Sequence, residues 1–211
     1  MPDPEPFQLA MRRCGVRAGH LVVVYDAGTS MAAARAWWLL RYFGHPAVRV
    51  LDGGYAAWVT AGLAVTTVEP RPAAGDFAAD AGHLPILDPE AAAMLPERGV
   101  LLDGRAPARY AGEIEPVDRV AGHIPGARSL PSDGNLRPAG RFLEPERLRA
   151  RFSACGAVDG VEIGAYCGSG VTAANTILAL DVIGLRGALY VGSWSEWISD
   201  PGRTVATGPE P

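Results

Sequence analysis

The stretch that decides the fold is Val161-Glu162-Ile163-Gly164-Ala165-Tyr166-Cys167-Gly168-Ser169-Gly170-Val171-Thr172, continuing into Ala173-Ala174-Asn175-Thr176-Ile177. Residues 161–166 read as a short apolar strand, the two glycines as a sharp turn, and the alanine-rich run 171–183 as a helix. The same pattern stands upstream. Leu21-Val22-Val23-Val24-Tyr25 is a β-branched run stopped by Asp26-Ala27-Gly28, and Ser30 is placed to N-cap a helix over 31–43 that ends before Gly44. Further strands are expected at 48–51, 100–102, 128–130 and 188–191. Helices are expected at the Tyr55-Ala57-Trp58 stretch, at 145–155 and at 193–198. Strands alternating with helices at this spacing define an α/β protein with parallel sheets flanked by helices. Between Thr66 and Pro89 the chain is rich in proline and alanine without sustained periodicity and reads as a linker.

Two segments recur in the same order. Tyr25-Asp26 before one alanine-rich helix matches Tyr166-Cys167 before another. Gly53-Gly54-Tyr55-Ala56-Ala57-Trp58 likewise matches Gly192-Ser193-Trp194-Ser195-Glu196-Trp197. The offsets are nearly equal, which points to a tandem duplication. The copies are unequal. Nothing before Asp26 corresponds to Asp103-Gly104-Arg105 or to Gly122-His123-Ile124-Pro125-Gly126-Ala127, so the first repeat is expected to lack its opening strand and helix. The expected boundaries are 1–66 for a shortened first domain, 67–89 for the linker and 90–211 for the second domain.

Composition narrows the function. The 19 basic residues against 23 acidic ones give a net charge of −4, and all the cations are arginine. No broad basic field invites nucleic acid, and no lysine is available for a Schiff base or a phosphate-binding loop. Four histidines and three separated cysteines make no metal-ligand pattern, and no cofactor is expected. Met1-Pro2-Asp3-Pro4-Glu5-Pro6 is unlike the basic start of a secretory signal, and no apolar run is long enough to span a bilayer, so a cytoplasmic location without membrane contact is expected. Cys14, Cys155 and Cys167 are expected to be free thiols.

Chemistry is concentrated at Cys167. A cysteine at the carboxyl end of a parallel strand, in a glycine-rich turn opening a helix, lies where backbone N–H groups collect an anion. That setting favours the thiolate, the nucleophilic form. Gly168, Ser169, Gly170, Val171 and Thr172 form the rest of the loop. A cysteine phosphatase needs an arginine six residues after the nucleophile. Ala173 stands there instead, and the next arginine is Arg186. A loop this small suits a sulfur atom better than a phosphoryl group.

Taken together, Cys167–Thr172, Gly122–Ala127, Asp103-Gly104-Arg105 and Gly192–Trp197 resemble the tandem-domain rhodanese family of sulfurtransferases, over nearly the whole chain. The resemblance implies two rhodanese-like domains, with the cysteine in the second and an inactive copy in the first, where aspartate often replaces cysteine; Asp26 fits that pattern. It also implies a double displacement. Cys167 takes a sulfane sulfur from a small anionic donor, thiosulfate or 3-mercaptopyruvate, and passes it as a persulfide to a thiol or cyanide. Arg109 matches the family's substrate-binding arginine. Asp103 and Arg105 are read as a supporting ion pair, His123 as a residue that fixes a turn, and Trp194 and Trp197 as core. The Gly-Ser-Gly-Val-Thr loop resembles the mercaptopyruvate type. That type usually carries a second arginine before Gly-His-Ile-Pro-Gly; here Val117 takes the place and Arg119 is displaced, which leaves thiosulfate open. The competing expectation is a non-catalytic binding or sulfur-relay module. The shortened first repeat would leave an apolar flank open, and self-association is expected from it.

Overall fold

A computed structural model describes residues 1–211. The chain divides into two compact units, Met1–Pro85 with Pro138–Arg141, and Ile86–Arg137 with Phe142–Pro211.

The first unit contains α1 (Pro4–Arg13), β1 (Val22–Val24), α2 (Met31–Tyr42), β2 (Val48–Val50) and α3 (Gly54–Thr60). β1 and β2 pair in parallel, with Val23 opposite Arg49. The valines, three in β1 and two in β2, suit a pleated surface, and α2 covers one side with Ala33, Ala34, Trp37, Trp38 and Leu40 buried. α1 was not anticipated from the sequence. Its prolines stand in the first turn, where a missing N–H costs nothing, and its buried Phe7 stacks on Phe43 at 4.7 Å between ring centroids. Phe77 meets Phe7 edge-on at 6.3 Å and is buried, so the stretch read as a linker is anchored here in part. The other side of the two-stranded sheet is open. Val23, Tyr25, Tyr55, Trp58 and Val65 are exposed around an apolar hollow of about 340 Å³.

Ser30 does not cap α2 with its side chain and sits in the left-handed region at φ 56°. Asp26 does that work. Its Oδ1 accepts from the N–H groups of Gly28 (2.9 Å) and Ser30 (3.0 Å), and its Oδ2 from that of Ala33 (3.2 Å). A charged carboxylate satisfies the unpaired donors of a helix start better than a hydroxyl.

The second unit contains β3 (Ile86–Leu87), α4 (Pro89–Met94), β4 (Gly99–Asp103), α5 (Pro107–Tyr110), β5 (Arg128–Ser129), α6 (Pro145–Ala154), β6 (Glu162–Tyr166), α7 (Ala173–Val182), β7 (Ala188–Tyr190) and α8 (Ser193–Trp197). The strands form one parallel sheet in the order β3-β7-β6-β4-β5. β6 is central and buried from Ile163 onward, as expected for a strand covered on both faces. Its register pairs Asp103 with Tyr166, which sets the end of β4 beside the residue that precedes Cys167. Leu101, Ile124, Tyr166, Tyr190, Trp194 and Trp197 belong to one buried cluster. α7 begins at Ala173, two residues later than the sequence suggested, because 168–172 form the turn. No helix is long and apolar enough to cross a membrane.

Candidate active site

The site is assembled where β4, β6 and β7 end on the same edge of the sheet. Cys167 leaves β6 and is 1% exposed, whereas Ser169 and Val171 in its loop are exposed. Two carbonyls of the loop are pinned from one side. Trp194 N–H donates to the Cys167 carbonyl (3.0 Å), and Ser195 N–H to the Gly168 carbonyl (2.9 Å). The N–H groups of Gly168, Ser169, Val171 and Thr172 enter no hydrogen bond within the protein. The loop therefore keeps a set of donors for an anion. Gly170 is required at φ 75°, where a Cβ would fall 2.3 Å from the Val191 carbonyl.

Ser193 is a residue that sequence reasoning missed. It is fully buried and non-glycine at φ 54°. Its hydroxyl accepts the Cys167 N–H (3.1 Å) and donates to the Tyr190 carbonyl (2.8 Å). A strained backbone held by two hydrogen bonds next to a nucleophile candidate marks a site built for geometry.

The first unit repeats this construction with an aspartate. Tyr55 N–H donates to the Asp26 carbonyl (2.8 Å) and Ala56 N–H to the Ala27 carbonyl (3.1 Å), and Gly54 (φ 57°) stands where Ser193 does. Burial pushes the Asp26 carboxyl up, but the N–H groups of Ala33, Gly28 and Ser30 outweigh it and hold the group below the ordinary carboxylate value. In that loop the anion is the protein's own.

Arg109, at the end of α5, reaches the Cys167 loop. Its Nη1 and Nη2 lie 3.7 and 3.8 Å from where a Cβ on Gly168 would stand. Glu115 grips it with two contacts, from Nη2 to Oε1 at 2.6 Å and from Nε to Oε2 at 3.0 Å. Asp118 takes Nη2 as well, at 3.2 Å. Nη1 has no protein partner. Burial raises the Glu115 carboxyl, but Arg109 and the N–H groups of Asp118 and Val117 outweigh it, and the group stays below the usual carboxylate range. Asp118 also accepts the Ser195 hydroxyl at 2.8 Å, and that hydroxyl stands 2.9 Å from the Gly168 carbonyl.

Asp103 and Arg105 are within 2.6 Å of each other with side chains 0% and 1% exposed. Arg105 also donates to the Gly122 carbonyl (2.6 Å), and its guanidinium lies 4.4 Å over the Trp194 ring. This pair ties β4, the Gly122 turn and α8 together. His123 is buried, stacks on Tyr110 at 3.8 Å and donates from Nδ1 to the Tyr110 carbonyl (2.9 Å). Trp194 and Trp197 are core residues. Val117 is exposed, and Arg119 is turned to the Ile198 carbonyl at 2.8 Å. Cys14 is exposed in the first unit, and Cys155 ends α6 with its thiol pushed up by burial.

A parallel α/β unit with a cysteine in a glycine-rich loop and an arginine beside it, preceded by a copy carrying aspartate, defines the class. The chain belongs to the rhodanese family: the rhodanese-like domain matches residues 2–61 and 88–200. Among its relatives is a probable 3-mercaptopyruvate sulfurtransferase of Pseudomonas aeruginosa, 48% identical across 99% of this chain and 75% of that one. A putative thiosulfate sulfurtransferase, SseB of Mycobacterium tuberculosis, is 44% identical across 99% of this chain and 74% of its own length. The crystal structure of SseA from Escherichia coli, a 3-mercaptopyruvate sulfotransferase, superposes with a TM-score of 0.81 at 35% identity, covering 93% of this chain and 75% of SseA.

Proposed function

We propose that the protein is a sulfurtransferase that carries a sulfane sulfur from 3-mercaptopyruvate or thiosulfate through a persulfide on Cys167 to a thiol or cyanide. The observation that carries this reading is the Cys167 loop itself. Its carbonyls are pinned by α8, four of its N–H groups are uncommitted, and Arg109 Nη1 is uncommitted beside Gly168. The thiolate attacks the outer sulfur of thiosulfate. The S–S bond breaks, sulfite leaves with the electron pair, and a persulfide anion remains. With 3-mercaptopyruvate the C–S bond breaks instead, and the carbon left behind takes the thiol proton to give pyruvate. In the second half an acceptor such as cyanide attacks the outer sulfur and leaves as thiocyanate, restoring the Cys167 thiolate.

In this reading Cys167 is the catalytic nucleophile and Gly168–Thr172 the anion-holding loop. Arg109 binds the donor, and Asp103 with Arg105 supports the loop from behind. The second unit is the catalytic domain and the first the inactive copy in which Asp26 fills the nest; the expected linker 67–89 divides between them, its buried Phe77 in the first unit and the strand Ile86–Leu87 in the second. Three free cysteines support assignment of the reaction to the cytoplasm. The test is thiocyanate release from cyanide with each donor. The parent chain is expected to turn over at least one of them, and Cys167→Ser neither, because a serine hydroxyl cannot hold a transferable sulfane sulfur. Turnover by Cys167→Ser above a few per cent would remove Cys167 from the role. No turnover by the folded parent would favour the sulfur-relay module instead.

A further inference from the structure

The acidic segment before the Gly122 turn does more than hold Arg109. Glu115 is 4% exposed in its side chain and consumes Nε and Nη2 of Arg109 in a two-point grip, which neutralises that cation. Asp118 is then a second carboxylate on the same nitrogen. Arg105, the next cation, is paired with Asp103 and also stands 3.5 Å from Glu115, and the Arg119 side chain is turned to the Ile198 carbonyl. The ion-paired cluster thus sets two cations, Arg105 and Arg109, against three carboxylates, Asp103, Glu115 and Asp118. Both oxygens of Asp118 bear on the Cys167 loop, Oδ2 through Arg109 and Oδ1 through Ser195 to the Gly168 carbonyl.

We infer that Asp118 sets donor selectivity as a charge filter, disfavouring dianions against monoanions of similar size. This rests on Cys167 and Arg109 acting as proposed above. A compact dianion such as thiosulfate meets one uncommitted guanidinium nitrogen and an extra negative charge beside it. A 2-oxo acid thiol carries a single charge on its carboxylate and experiences half that repulsion. Like charges a few ångströms apart in a partly dehydrated mouth interact strongly enough to change binding by about tenfold.

The experiment compares kcat/KM for thiosulfate and 3-mercaptopyruvate in three variants. Asp118→Asn keeps an oxygen for Ser195 but loses the charge. The ratio of thiosulfate to mercaptopyruvate efficiency is expected to rise about tenfold, carried by KM. Asp118→Glu, which keeps the charge, and Ser195→Ala, which keeps Asp118 but breaks its bond to the loop, are expected to leave the ratio within about twofold of the parent. In the parent itself, methanesulfonate is expected to inhibit mercaptopyruvate turnover more strongly than sulfate, which has a similar head group and one more charge. An unchanged ratio in Asp118→Asn, or stronger inhibition by sulfate, overturns the charge filter. If those results came with Arg109→Ala still weakening both donors, only the filter would fall. If Arg109→Ala weakened neither, the reading of the site would fall with it.

Discussion

Replacing Arg109 by alanine separates donor binding from chemistry. In the structure only Nη1 is uncommitted, so the donor anion gains one charge-assisted hydrogen bond from this side chain. Such a bond contributes about 1.5–3 kcal/mol when partly desolvated. Removal also leaves Asp118, 11% exposed, without its cation and Glu115 with Arg105 alone. The two effects act in the same direction, so the loss in kcat/KM should lie near the upper end, about a hundredfold. It should fall mainly on KM, because the contact serves the bound donor and the transition state alike. The fold should survive: Glu115 keeps Arg105 at 3.5 Å and the N–H groups of Val117 (3.1 Å) and Asp118 (3.2 Å). Initial rates of thiocyanate formation across a range of each donor, with a thermal melt of the same preparation, provide the assay. A folded variant with unchanged kcat/KM for both donors would refute the role of Arg109.

Three further outcomes are expected. Arg105→Met strands a buried Asp103 carboxylate and should cost about 3–5 kcal/mol of unfolding free energy in urea, while Arg105→Met with Asp103→Asn should cost less than the single change. A double variant no more stable than Arg105→Met would contradict this. Asp26 is held below its ordinary value of 3.8 in the folded state, so its contribution is present above that pH and is lost as pH falls through the lower folded value. Asp26→Asn should therefore flatten the acid limb of the stability curve below pH 3.8, and an identical limb would remove this role for Asp26. The open apolar face around Val23, Tyr25, Tyr55 and Trp58 should drive self-association at micromolar concentration, reversed by Tyr25→Ser with Trp58→Ser. Sedimentation showing a monomeric parent would oppose it.

The readable parts of the sequence were those where local pattern and tertiary role coincide. The runs at 100–102 and 163–166 are apolar because their strands are covered, whereas the run at 22–24 stays apolar on a sheet with one open face, and the Cys167 loop announces itself through two glycines between a strand and a helix. The repeat was legible as paired motifs, and the matching N–H bonds from Tyr55 and Trp194 are its physical content. Other features depended on distant partners. Ser30 looked like a cap, but Asp26 folds back over the helix start and takes its donors. The two prolines of α1 suggested a loose end, yet they occupy the positions a helix tolerates, and Phe7 finds Phe43. β3 is two residues long and exists only because β7 pairs with it. Glu115, Asp118 and Ser195 have no signature of their own. Glu115 and Asp118 matter because α5 carries Arg109 back to them, and Ser195 because α8 brings it 77 residues along the chain to Asp118. Ser193 could have been suspected from the motif match alone, since it replaces a glycine of the first copy at a left-handed position.

The central claim is that sulfur passes through Cys167. Mass spectrometry of the intact protein after incubation with 3-mercaptopyruvate or thiosulfate, without acceptor, tests it most directly. A gain of one sulfur atom, traced by digestion to the peptide containing Cys167, is expected; cyanide removes it with release of thiocyanate, and it is absent in Cys167→Ser and retained in Cys14→Ser and Cys155→Ser. Sulfur found on Cys14 or Cys155, or turnover without any labelled Cys167, would contradict it.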